Sequence, residues 1–158
     1  MSSITPFLWF DEDIREVIRV YQGVFSDLKL LSPVADTAPA GGAPEIASVE
    51  MHGQRFDIMS VAGKPGFSEG VSFVVSCGNQ TEVDRYWFGL IADGGEESMC
   101  GWLKDRFCLS WQIVPTRLLE LQSGPDPEAA ARVTNAMLQM KRIVIADLEA
   151  AAEGPVNT

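Results

Sequence analysis

One order of hydrophobic periodicities occurs twice in this chain. Residues 3–62 read as a strand, an amphipathic helix and three further strands, and residues 70–115 read as the same five elements again. The repeat lies in the order of elements rather than in residue identity. It constrains the fold because each βαβββ copy must lay one helix on one face of a small sheet, leaving the other face for a second purpose.

In the first copy, Ile4 to Phe10 reads as a strand and "DIREVIRVYQGVF" as a helix capped by Asp11 and Asp13. Ile14, Val17, Ile18, Tyr21 and Phe25 recur at helical spacing and form its apolar face. Leu28 to Val34 reads as a strand with poor alternation, followed by the loop "ADTAPAGGAPE". Glu45 to His52 and Arg55 to Val61 read as a hairpin around Gly53-Gln54. "AGKPGFSEG" breaks the pattern and is the expected linker.

In the second copy, Val71 to Cys77 reads as a strand and Asn79 with Glu82 as a capping box. The helix that follows carries Val83, Trp87, Leu90 and Ile91 on one face and stops at Gly94-Gly95. Glu97 to Trp102 reads as one strand or two short ones, Lys104-Asp105-Arg106 as a polar turn, and Cys108 to Val114 as the closing strand. Residues 116–158 read as a helical tail. Within it, Asp126 is an N-cap, Pro127 the first helical position, and "IVIADLEAAAE" a last short helix. The fold class expected is α+β, one domain of two modules with C-terminal helices.

Twelve basic residues stand against 22 acidic ones, for a net charge of −10. That balance argues against a nucleic-acid partner, which requires a positive stripe. No apolar run approaches the ~20 residues that span a bilayer, so no membrane partner is expected. The first residues, "MSSITPFLWFDED", lack the basic start of a signal peptide, and the expected compartment is the cytoplasm. Three cysteines without a C-x-x-C and a single histidine do not make a zinc site. Cys100 and Cys108 could face one another across a hairpin. His52, beside a turn, reads as an exposed side chain more readily than as a catalytic one.

Strands alternate faces, so on the last strand Trp111 and Ile113 share one side and Ser110, Gln112 and Val114 the other. A buried Gln112 amide needs partners: it orients a ligand, or it satisfies a neighbouring backbone group. On the fourth strand, Asp57 and Met59 oppose Phe56 and Ile58. Asp57 could serve as a general base with a raised pKa or as the remnant of a metal site, or it pairs with Arg55 at a solvated edge. Phe7 and Trp9 share a face of the first strand and suit either a planar ligand or a dimer core.

"ITPFLWF", "GWLKDRFCLSWQIVP" and "PDPEAAARVTNAMLQMKRIVIADLEAA" resemble the PhnB-like branch of the vicinal oxygen chelate superfamily, a branch labelled 3-demethylubiquinone-9 3-methyltransferase. The resemblance covers nearly the whole chain. It implies paired βαβββ modules of the glyoxalase/bleomycin-resistance type, forming a curled sheet, usually in a homodimer. It also implies a divalent-metal site, with a His or Gln on the first strand, a Glu on the fourth, a His on the fifth and a Glu on the eighth. At the matching positions this chain offers no ligand among Thr5 to Phe7, then Asp57 or Met59, Ser72, and Gln112. That set is too poor in carboxylates and imidazoles to grip a divalent ion, so no metal and no cofactor are expected. No strand–Gly-turn–helix unit of the kind nucleotide-type methyltransferases use follows the first strand, which ends in "WFDED".

The expectation is a small-molecule-binding protein without a catalytic metal. Its ligand would meet Gln112, Trp9, Phe7, Met59, Ser72 and Ser110, and Asp57 is the weak catalytic candidate. The alternatives are a lyase-, isomerase- or dioxygenase-like enzyme of the same superfamily, or an interaction subunit whose cleft is filled by its own side chains.

Overall fold

A computed structural model describes residues 2–63 and 66–154. Lys64 and Pro65 of the expected linker, and residues 155–158 of the expected tail, lie outside the described residues. The chain forms two units, residues 1–66 and 67–158, which meet within "AGKPGFSEG".

The first unit holds β1 (Phe7–Phe10), α1 (Ile14–Val24), β2 (Lys29–Leu30), a 3-10 turn (Ala40–Gly42), β3 (Glu45–Met51) and β4 (Gln54–Ser60). The sheet order is β1-β4-β3-β2, with β1 parallel to β4 and the other pairs antiparallel. Asp13 caps α1 by accepting from the Arg15 amide at 2.8 Å. The helix buries Ile14, Val17, Ile18, Tyr21 and Val24. Leu8, Phe10, Ala47, Val49, Met51, Phe56 and Ile58 form the buried side of the sheet beneath it.

Three expected boundaries change here. The first strand starts at Phe7 rather than Ile4: the Asp57 amide donates to the Pro6 carbonyl, the ladder opens at Phe7 beside Asp57, and Ile4 is 96% exposed. The second strand shrinks from Leu28–Val34 to Lys29–Leu30, the two residues that pair with Glu50 and Val49. The β3–β4 turn is His52-Gly53, not Gly53-Gln54. Both residues have positive φ (49° and 75°), as a two-residue type I′ hairpin demands, and Gln54 already pairs with Met51.

The second unit holds β5 (Phe73–Cys77), α2 (Gln80–Ile91), β6 (Glu96–Glu97), β7 (Trp102–Lys104) and β8 (Ser110–Pro115), then α3 (Thr116–Gln122), α4 (Pro127–Met137) and α5 (Ile145–Glu153). Its order, β5-β8-β7-β6, repeats that of the first sheet, with β5 parallel to β8. Both open sheets with helices packed to one side make this an α+β fold. Asn79 caps α2 through the Glu82 amide, while the Glu82 carboxylate reaches back to the Gly78 amide at 2.7 Å, one residue before the usual reciprocal bond. Leu118, Val133, Ile143 and Leu148 form a separate apolar cluster among α3, α4 and α5. Among the described residues no helix is long and apolar enough to cross a membrane.

The main departure from the sequence reading lies in "LKDRFCLSW". The expected polar turn holds a buried acid, because Asp105 is 2% exposed. Its Oδ1 accepts from the Phe107 and Leu109 amides at 2.9 and 3.0 Å, and its Oδ2 from Trp111 Nε1 at 2.9 Å. These bonds fold residues 105–109 into a loop, so β8 begins at Ser110 rather than Cys108. Cys108 sits in that loop with φ 65°, and Cys100 precedes β7 with φ 59°. The register that pairs Lys104 with Ser110 and Trp102 with Gln112 keeps the two cysteines from facing each other. All three cysteines are free. Cys77 is buried, and desolvation, with the nearby Glu82 charge second, pushes its thiol up to about 12.

Gly101 ties the hairpin to the helical tail. Its amide donates to the Lys141 carbonyl, and its carbonyl accepts from the Ile113 amide, both at 2.8 Å. A Cβ there would stand 2.8 Å from the Ile113 carbonyl oxygen, at a φ of 82°. Gly101→Ala is therefore expected to cost about 2 kcal/mol or more in urea unfolding. Asp105→Ala strands three buried donors and is expected to cost about 3 kcal/mol or more in the same measurement. An Asp105→Ala loss near zero would show that the loop finds other acceptors.

Candidate functional site

In each unit one face of the sheet is covered by its helix and the other is left open. The open face of the first sheet carries Phe7 and Trp9 from β1 and Asp57 and Met59 from β4. Parallel register puts Phe7 beside Asp57 and Trp9 beside Met59. Across from these, β3 places Ser48 opposite Asp57 and Ile46 opposite Met59. Phe7 and Ile46 are 52% and 55% exposed. Trp9 is half-buried, and its Nε1 donates to the Val61 carbonyl at 3.0 Å, which fixes the indole and spends its donor.

Asp57 is held in a tight local network. Its Oδ1 accepts from Ser48 Oγ at 2.6 Å and from Arg55 Nη2 and Nε at 3.0 and 3.2 Å. Arg55 also donates to Ser48 Oγ at 3.0 Å. The Ser48 hydrogen bond, then the Arg55 guanidinium, hold the carboxyl below its ordinary value. A general base at neutral pH needs the opposite shift. His52 stands apart from this cluster at the hairpin turn. Its amide donates to Asp27 Oδ2 at 2.8 Å, and its ring lies edge-on to Phe25 at 5.7 Å.

The open face of the second sheet carries Ser72 just before β5, Val74 on β5, Ser110 and Gln112 on β8, and Trp102 and Lys104 on β7. Trp111 and Ile113 point the other way and are 2% and 0% exposed. Gln112 lies beside Val74 and opposite Trp102, and its Nε2 donates to Ser72 Oγ at 2.9 Å. Val114, next on that face, packs against the apolar cluster of the C-terminal helices. The tail therefore covers the Val114 end of the face.

At the other end opens a groove of about 380 Å³, lined among others by Ser110, Trp102, Lys104, Glu69 and Glu96. Lys104 Nζ makes an ion pair with Glu69. Glu97, also on the lining, accepts from Trp87 Nε1 at 3.1 Å and pairs with Lys141 at 3.3 Å. The sequence reading found Ser110 but not Trp102 or Lys104. The signal available was cross-strand: once the 105–109 loop is recognised, these two fall opposite Gln112 and Ser110.

The donor set for a divalent ion is poor. Among the described residues no three His, Cys, Asp or Glu side chains come together as a metal-holding group. Asp57 is already neutralised by a guanidinium, the Ser72 hydroxyl accepts from Gln112, and Phe7 has no donor. These residues do not fit the divalent metal that the resemblance implies.

The Asp57 network sets a pH dependence. Its carboxyl is lowered from 3.8, so its contribution is complete above that value and is lost as pH falls through the lower folded pKa. Asp57→Asn is expected to cost under about 1 kcal/mol at pH 7, and the gap to the parent should close in acid. Unfolding curves at the two pH values check this, and a gap that widens in acid would contradict the network.

A family model described as 3-demethylubiquinone-9 3-methyltransferase matches residues 2–114. The PhnB protein of Bacillus cereus has 25% identity and a TM-score of 0.62, covering 72% of this chain and 99% of its own. Protein PA1353 of Pseudomonas aeruginosa has 20% identity and a TM-score of 0.55, over 73% of this chain and 98% of its own. The fosfomycin resistance protein FosX of Listeria monocytogenes, complexed with Mn(II) and sulfate, has 15% identity and a TM-score of 0.52, over 72% and 91%. No curated protein matches the chain. With the repeated βαβββ sheets and this match over most of its length, the chain belongs to the 3-demethylubiquinone-9 3-methyltransferase (PhnB-like) family of the vicinal oxygen chelate superfamily.

Proposed function

We propose that this protein binds a small, partly apolar organic molecule on its open sheet faces, as a homodimer, and does so without a resident divalent metal. One observation carries the reading: the polar groups at the expected ligand positions are engaged with one another. Asp57 is held by Ser48 and Arg55, and the Gln112 amide by Ser72. On the first sheet Phe7, Trp9 and Met59 supply apolar contact; on the second, taken by itself, Val74 supplies apolar contact and Gln112, Ser72 and Ser110 the few polar groups that orient a ligand. In Listeria FosX the same fold is complexed with Mn(II). Here a guanidinium already sits on the carboxylate that would have to bind such an ion.

Two enzyme readings have weaker support. The lowered pKa of Asp57 opposes a role as general base. Methyl transfer from a nucleotide-type cofactor calls for a Gly-rich turn after the first strand, and β1 runs instead into Asp11, Glu12 and Asp13.

The test is metal analysis of the full chain before and after chelation, joined to a ligand screen by thermal shift. Substoichiometric metal, and ligand stabilisation that survives chelation, are expected. A ligand at a hundred times its Kd should add about 2.7 kcal/mol of stability. Gln112→Ala should remove most of that gain while leaving the ligand-free Tm nearly unchanged. One equivalent of Mn, Ni, Zn or Fe retained through chelation would overturn the reading.

A further inference from the structure

The groove at the Ser110 end of the second sheet has a lining that specifies more than shape. Ser110 is 4% exposed, lines the groove, and among the described residues its hydroxyl has no hydrogen-bond partner. The hydroxyl oxygen itself is not sealed off but stays open to the groove, so Ser110 Oγ offers a ligand a free hydrogen-bonding group on an otherwise buried residue. Above it, Trp102 contributes an indole, half-buried on the same face. The charged lining is three carboxylates, Glu69, Glu96 and Glu97, to one ammonium, Lys104. Lys104 is held by Glu69, and Glu97 by Lys141 from outside the lining. Glu96, exposed and opposite Lys104 in the ladder, leaves the groove net negative.

We propose that this groove binds a small organic cation, an amine carried on an aromatic or apolar body. The ammonium sits between Glu96 and the Trp102 face, where a carboxylate and the π-cloud both attract it. An N–H of the same amine donates to Ser110 Oγ in place of water. The body lies against the indole. A volume of about 380 Å³ admits a single ring with a short side chain. The chain's net charge of −10 raises the local concentration of cations and disfavours anions before either reaches the groove. This assignment rests on the small-molecule-binding function proposed above and adds the chemical class of the ligand at one part of the open face.

Three probes of one shape and different charge test it: benzylamine, benzyl alcohol and phenylacetate, titrated into the full chain at low salt and followed by amide and indole N–H shifts in NMR. Benzylamine is expected to bind at least about tenfold tighter than phenylacetate, with benzyl alcohol between them. The shifts should centre on Trp102 and Ser110, and the benzylamine affinity should fall as salt is raised. Glu96→Gln is expected to weaken benzylamine about tenfold and to erase most of the charge preference. Ser110→Ala should weaken it severalfold. Both are surface or isosteric changes that should leave the Tm near that of the parent.

Phenylacetate binding as tightly as benzylamine, with Lys104 as the perturbed residue, would overturn the assignment in favour of an anion. Absence of binding by all three, or benzylamine shifts confined to residues outside the groove, would also overturn it. In those cases a chelation-resistant ligand response that depends on Gln112 would leave the broader binding function standing. Tightly held metal would remove that broader function first.

Discussion

Asp105 is the group on which the second unit turns. A carboxylate 2% exposed is costly unless its oxygens are filled, and here two backbone amides and one indole N–H fill them. The consequence is geometric. The loop from 105 to 109 takes a fixed shape, β8 starts at Ser110, and the register with β7 follows. Because side chains alternate along a strand, that register alone decides that Trp111 and Ile113 enter the core and that Ser110 and Gln112 join Trp102 and Lys104 on the open face. A one-residue slip would put a tryptophan on the surface and a glutamine under α2.

The two units solve the same packing problem with different chemistry on the free side. The first sheet leaves an apolar and aromatic face interrupted by the Ser48–Arg55–Asp57 network. The second leaves a more polar face, anchored at one end by the Gln112–Ser72 bond, covered near Val114 by the helical tail, and hollowed at the other end into an acidic groove. A superfamily scaffold whose relatives include a Mn(II) complex is preserved here in its strands and helices. On the open faces of these sheets Asp57 bonds to Ser48 and Arg55, and Gln112 to Ser72. A fold held by apolar burial on the helix side tolerates such change, since the open face contributes little to the core.

Several elements were legible in advance for local reasons. Asp13, Asn79 and Asp126 announce helix starts because a short side-chain acceptor satisfies the first free amides, and each does so in the structure. The 3.6-residue spacing of Ile14, Val17, Ile18 and Tyr21 placed the buried face of α1, and alternation placed both faces of β8. The misses share a cause as well. Ile4 looks like strand but lies outside the ladder, and among the described residues beyond Leu30 only Leu31 and Ser32 reach across, both to Ser48, so the ladder goes no further. Lys104-Asp105-Arg106 reads as a solvated turn because nothing local says that Phe107, Leu109 and Trp111 will deliver three donors to one carboxylate. Cys100 and Cys108 seem poised to face each other until the 105–109 loop shifts the register.

The sequence by itself determined the repeated βαβββ order, the helix starts to within a residue or two, and which side of the longer strands is apolar. Those depend on caps and periodicity within one element. Only the tertiary structure decided which polar side chains meet: Asp57 with Arg55 and Ser48, Gln112 with Ser72, and Trp102 and Lys104 across from Gln112 and Ser110. Such meetings depend on the register between strands joined by loops, and register is fixed by packing and by hydrogen bonds such as those of Asp105, which no single element contains.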